Sequence, residues 1–183
     1  IKDFKNNTSN LLATAQNGYW GKTPSTMLWG VNLAYTYQNT ATNYDFSVPT
    51  PYNGNYLSFT LMQGTHVNAI ISALVMVATP IGQSHIYAGA GPVLSQGVKS
   101  TFALPQISTF DPLISEVKKN LVGGMIKAGL IYNLDANNFI DAGFSLGVSQ
   151  KKEFAHSDLT VAPTQNIGIT TGNASITFNH KFA

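Results

Sequence analysis

Four histidines, eight acidic residues and no cysteine are the chain's acid–base groups and soft metal ligands. Without a thiol there is no cysteine nucleophile and no thiolate metal site. His66, His85, His156 and His180 show neither the His-x-x-x-His nor the His-Glu-x-x-His spacing that puts two imidazoles on one helix face, so no metal site is predicted. Gly89-Ala90-Gly91 is followed by neither the helix nor the ribose-binding acid of a dinucleotide fingerprint, and no cofactor is expected. His156-Ser157-Asp158 has the residue types of acyl transfer. A nucleophilic serine needs its base within hydrogen-bond reach, which consecutive loop residues seldom provide, so the triplet is read as polar loop. Asp45, Asp111, Glu116 and Glu153 lack paired spacing and are read as solvating charges.

The elements that would position such groups follow from composition and period. Of 183 residues only 10% are charged, against about 25% in ordinary soluble domains. Length and a 44% apolar content allow a single domain with a real core and exclude global disorder. All ten basic residues are Lys, the formal charge is +2, and the pairs Lys118-Lys119 and Lys151-Lys152 are too short for a phosphate-tracking face, so nucleic acid is not an expected partner. Phe46 to Val98 carries no formal charge, yet Ser, Thr, Asn, Gln and Gly interrupt it throughout. Its longest apolar stretch, Ala69 to Ala78, falls well short of the ~18 to 20 residues of a membrane-spanning helix. Neither a start Met nor a basic leader is visible at Ile1, so the chain reads as processed or trimmed.

Alternation with period 2 is the dominant pattern. In Met27 to Tyr37 the odd residues Met27, Trp29, Val31, Leu33, Tyr35 and Tyr37 oppose Leu28, Gly30, Asn32, Ala34 and Thr36. Val122, Ile126, Ala128, Leu130, Tyr132 and Leu134 oppose Gly123, Met125, Lys127 and Gly129; then Ile140, Ala142, Phe144, Leu146 and Val148 oppose Asp141, Gly143, Ser145 and Gly147. Asp135-Ala136-Asn137-Asn138 between them predicts a hairpin. A second hairpin is predicted at Thr79 to Ser84, from one long strand over Tyr56 to Val77 with Val67, Ile71 and Val75 on one face, into His85 to Val98. There Ile86, Ala88, Ala90, Leu94 and Val98 share a face, and Pro92 predicts a bulge or break. Long connections are expected at Asn39 to Asn55, Ala103 to Glu116 and Gln150 to Pro163. Ile1, Phe4, Thr8, Leu11, Leu12 and Ala15 leave residues 1–25 open as an amphipathic helix, a plug or an irregular strand, ahead of a barrel over 26–183.

Which face is wet decides the class. A soluble barrel points its large apolar face inward and covers the outside with charge, whereas here the second face is Gly, Ala, Ser, Thr and Asn. That face suits a crowded polar interior, with the apolar side turned to lipid. Interior candidates are Lys127, Asp141, His66 and Asn32; a charge there persists only if solvated or paired, and an internal ion network is expected. Lipid-facing candidates are Trp29, Tyr35, Phe144, Phe178 and Phe182. Trp29, Tyr35, Tyr37, Phe59, Tyr87 and Tyr132 suit interfacial girdles.

The end of the chain, Ala174-Ser175-Ile176-Thr177-Phe178-Asn179-His180-Lys181-Phe182-Ala183, resembles the C-terminal assembly signal of bacterial outer-membrane β-barrel proteins, departing from it at Ala183 and His180. Tyr87-Ala88-Gly89-Ala90-Gly91-Pro92-Val93 resembles the strand starts of small opacity-type barrels. The resemblance implies an all-β fold: an antiparallel up-and-down transmembrane β-barrel of about eight strands, with short periplasmic turns and longer surface loops. It also implies a bacterial outer-membrane location, with outer-membrane lipids, lipopolysaccharide and the barrel-assembly machinery as partners and a surface or host partner for the loops. The function read from this is a membrane anchor or structural, adhesive surface protein without a large pore and without catalysis. The alternatives are an outer-membrane lipid-modifying enzyme, a narrow channel, and a soluble calycin-like ligand binder.

Overall fold

The computed structural model describes residues 5–23, 27–52, 55–104, 113–156 and 164–180, with side chains described in 13–23, 27–38, 63–103, 114–156 and 164–180. Every regular element among them is a strand: β1 (Lys5–Lys22), β2 (Leu28–Tyr52), β3 (Asn55–Ile81), β4 (Ser84–Leu104), β5 (Leu113–Asn133), β6 (Asn138–Ser149), β7 (Lys152–Phe154), β8 (Gln165–Ile167) and β9 (Thr170–His180). Seven form one antiparallel up-and-down sheet in the order β1-β2-β3-β4-β5-β6-β9, curled into a half-barrel. β7 and β8 pair separately as a small hairpin. Pairing runs without crossovers, each long strand lying beside the one before it, with β6 and β9 neighbours across the stretch that holds β7 and β8.

Of the readings left open for residues 1–25, the structure takes the strand: β1 pairs with β2 from Lys5↔Asp45 to Lys22↔Leu28. The long loop expected at Asn39 to Asn55 is corrected too. β2 runs on to Tyr52 and pairs with β3 as far as Tyr52↔Asn55, because Tyr, Phe, Val and Thr in this stretch satisfy their backbone groups in a ladder as readily as in water. β3 is the single long strand expected from Tyr56 to Val77.

The hairpins fall where turn chemistry placed them. Gly82 adopts φ 59 in the two-residue turn after Ile81, a conformation that costs other residues a Cβ clash. Opposite Pro92 the β3–β4 ladder skips from Ser72↔Val93 to Val75↔Ala90, the break expected of a residue that cannot donate. In the β5–β6 turn, Asp135 Oδ1 accepts the backbone N–H of Asn137 and of Asn138, each at 2.8 Å, and Oδ2 accepts Asn138 Nδ2 at 2.7 Å. The Asn138 side-chain bond and then the two backbone bonds hold this carboxyl below its ordinary value of 3.8. Its stabilisation is therefore complete above that value and disappears as pH falls through the lowered one. Asp135→Ala should lower the urea midpoint at neutral pH, and the difference from wild type should shrink as pH falls through the lowered value. A difference constant over that range would contradict this role.

The faces are not uniform along the strands. Val67 is 5% exposed and Val75 64%, so the single apolar face expected for β3 is corrected: the two valines lie on opposite sides. β4 changes side as well, since Val98 is fully buried while Ile86 is 47% exposed. The register of β4 against β5 shifts between Ser95 and Val98, where Gly97 takes φ 64. A side-chain period of 2 means that a one-residue irregularity turns every later residue over.

Candidate functional site

The sheet turns its large apolar residues outward. Trp29 (45%), Tyr35 (45%), Phe144 (55%) and Phe178 (67%) are exposed on the outer face, in line with Val31, Leu33, Val122, Ile126 and Ile176. Phe182 lies outside the described residues. On the inner face are two apolar clusters with a polar stretch between them. One, near the short turns, joins Leu74, Met76, Ala78, Tyr87 and Ile131, with Trp20 and Phe139 against it. The other, toward the opposite end, joins Val67, Ile70, Val93, Val98, Leu121 and Phe154, with Ile167 and Ile169 against it.

Between them runs a groove of about 560 Å³ bordered by Gln16, Asn32, Thr36, Ser72, Lys127 and Ser145 among others. Lys127 is the one charged residue among its described lining residues. Tyr87 Oη donates to Asp141 Oδ1 at 2.7 Å, and Lys127 Nζ lies 3.8 Å from Asp141 Oδ2 and 5.5 Å from the centre of the Tyr87 ring. Trp20 meets that ring edge-on with centroids 5.9 Å apart. Lys127 is 9% exposed and the Asp141 side chain 17%, so each charge is held by the other together with the phenol. Glycines make room for this: a Cβ at Gly143 would sit 2.2 Å, and one at Gly129 2.6 Å, from the Tyr87 hydroxyl. Tyr87, expected in an interfacial girdle, is instead 1% exposed on the inner face. It shares parity with Gly89 and Gly91 and pairs with Gly129, and that large residue on a small-residue face was the available signal.

His66, expected in the interior, is placed on the outer side, because it alternates with the buried Val67 and pairs with Lys99. The four histidines stand apart: His85 pairs with Pro80 beside a short turn, and His180 Nδ1 is 2.9 Å from Asn138 Oδ1. Among the described residues no three His, Asp or Glu side chains gather as metal ligands.

His156 belongs to the β7–β8 hairpin, which folds over the inner face. Ser157 and Asp158 lie outside the described residues, and the partners of His156 come from elsewhere: Ser100 Oγ is 3.1 Å from Nε2 and Ser115 Oγ is 3.1 Å from Nδ1. No local signal in the sequence points to these serines, which are brought in by β4 and β5. Ser100 also donates to Gln165 Oε1 at 3.3 Å. A hydroxyl has one proton, so with that proton on Gln165 it accepts from Nε2–H. This imidazole is not a base toward Ser100, which is moreover fully buried. The cluster pins the hairpin. Lys119 Nζ donating to the Glu153 carbonyl (2.6 Å), Lys152 Nζ donating to the Asn120 carbonyl (2.9 Å) and fully buried Phe154 complete the attachment.

Comparison with protein-family models, with curated proteins and with solved structures finds no match to this chain. The function must therefore be argued from the two faces. The inner one can hold water and polar groups around one buried ion pair; the outer one can meet only an apolar surrounding without a large hydration cost.

Proposed function

We propose that the half-barrel is the greater part of a transmembrane β-barrel of the bacterial outer membrane, serving as a membrane anchor or adhesive surface protein without a large pore. The observation that carries this is the inverted exposure: large apolar side chains lie open on the outer face while Lys127, Asp141 and Ser72 are enclosed on the inner one. From Val122 to Tyr132, a rise of ~3.4 Å per residue and a tilt of ~40° give about 25 Å of depth, the height of the apolar band of such barrels. Trp29, Val31, Phe144 and Leu146 are exposed, which favours this reading over a calycin-like binder with an apolar cavity. The edge strands β1 and β9 run in the same direction after six antiparallel pairings. One further strand antiparallel to both closes the sheet and makes the count even, as in bacterial single-chain barrels. Ala174, Ile176 and Phe178 on β9 then face lipid and present the pattern read by the assembly machinery. β1 to β5 continue past the apolar band as one paired sheet, with pairs Lys5↔Asp45, Met62↔Ala103 and Ala103↔Ile114. That extension offers backbone and loops to a surface or host partner.

Fractionation of expressing cells, followed by detergent extraction, tests the reading. The protein should sediment with outer membranes, stay folded in SDS until heated and change gel mobility on boiling. A monodisperse preparation without detergent would refute it.

A further inference from the structure

On the outer face, beyond the apolar band, register sets three basic residues in one row: His66 pairs with Lys99, and Lys99 with Lys118. We infer that Lys99 and Lys118, flanked by His66, form a binding row for the phosphates of anionic lipid headgroups. This rests on the barrel reading above.

Two lysines directly opposite one another in neighbouring strands repel, and a nearby anion offsets that cost. Glu116 supplies one, with Oε2 2.9 Å from Lys99 Nζ. Lys118 is exposed, and with Lys99 paired to Glu116 it leaves the row a net positive charge on a face otherwise poor in charge. Lys119 and Lys152, in contrast, are engaged with carbonyls that anchor the hairpin. Depth identifies the occupant. Lys118 follows the strand past Val122 by about 13 Å, which at a tilt of ~40° is about 10 Å beyond the hydrocarbon edge, the level of headgroups. Lysines at that level can lay their stems along the apolar surface and put their ammonium groups among phosphates, each gaining about fivefold in local affinity. A free phosphate in water gains nothing from the neighbouring apolar band, so the lipid-borne form is favoured.

The test uses the whole chain folded into phosphatidylcholine vesicles with and without an anionic, phosphate-bearing lipid. The heat-shifted gel band in pure phosphatidylcholine reads the barrel; the ratio of spin-labelled anionic to zwitterionic lipid retained at the protein surface reads the row. Wild type should prefer the anionic lipid about five- to tenfold at low salt, with loss of the preference at high salt. Lys99→Gln with Lys118→Gln should abolish the preference and leave the band intact, Glu116→Gln should strengthen the preference, and Lys22→Gln, beside a short turn, should change neither. An unchanged preference in the double variant would overturn the inference while leaving the barrel standing, as would equal competition by millimolar inorganic phosphate. Absence of the heat-shifted band in wild type would remove the barrel reading and this row with it.

Discussion

Asp141→Ala should strongly destabilise the folded, heat-shifted species. The substitution leaves the Lys127 ammonium at 9% exposure without its carboxylate and takes away the acceptor 2.7 Å from the Tyr87 hydroxyl. Removing one partner of a buried ion pair costs about 3 to 5 kcal/mol, a large part of the ~5 to 15 kcal/mol that holds a typical domain folded. Neither loss is repaired locally, since the glycines at 129 and 143 leave the phenol in place over β5 and β6, and no carboxylate is among the described residues that line the groove. Asp141→Asn keeps an acceptor for the phenol and should lose less. The double variant Asp141→Leu with Lys127→Met should recover most of the stability, because exchanging a whole buried pair for apolar groups of similar size is often neutral. The urea midpoint of the gel-shifted form measures all three. A midpoint for Asp141→Ala equal to wild type, or a double variant worse than the single, would show that the pair does not act as described.

Phe154→Ala should undock the β7–β8 hairpin while leaving the main sheet folded. Its ring is fully buried among Val67, Ile70, Val93, Val98 and Leu121, and removal of a buried phenylalanine ring costs about 3 to 5 kcal/mol. The hairpin has few other holds: Ser100 and Ser115 on His156, Lys119 and Lys152 on carbonyls, and the bond from Ile169 N–H to Ser149 Oγ at 2.7 Å. The whole loss therefore falls on a local opening, and cleavage by an added protease within 150–169 should quicken by about a hundredfold or more, since such cleavage follows the open population. Currents in planar bilayers should nevertheless remain small and flickering. The second apolar cluster, with Trp20, Tyr87 and Met76, still fills the half-barrel near the short turns, and barrels of about eight strands have interiors only wide enough for their own side chains. Unchanged cleavage would mean that the hairpin is not held by Phe154; a large steady conductance would mean that the interior is far more open than these clusters allow.

Much of this is legible in the sequence. The Met27 to Tyr37 run and the strands flanking Asp135 carry an unbroken period of 2, and most of their outer residues, Trp29 to Tyr37, Val122 to Leu134 and Phe144 to Val148, are exposed, while Ile140 and Ala142 are half-buried. Lys127 and Asp141 were legible for the same reason, as charges on the small-residue side of neighbouring strands. The failures cluster where the period breaks. Val98 and His66 lie on the faces opposite to those their alternation predicts, because the parity of β4 changes across Gly97 and that of β3 changes across Val67 to Ile70, and nothing local in an alternating string marks such a slip. Pro49, Pro51 and the Asn residues mimic turn chemistry over Asn39 to Asn55, whereas the ladder with β3 carries β2 through Tyr52.

The sequence by itself determined the element type, the short turns and the two chemically different faces. Each of these is set by neighbours one or two residues apart, through side-chain alternation and turn conformation. Only the tertiary structure decided that Ser100 and Ser115 bracket His156, that Tyr87 spans two glycines to reach Asp141, and that Lys99 and Lys118 stand opposite each other. These meetings join residues from different strands. Their geometry depends on the register summed across several hairpins, where a single bulge moves every later contact by one residue and to the opposite face.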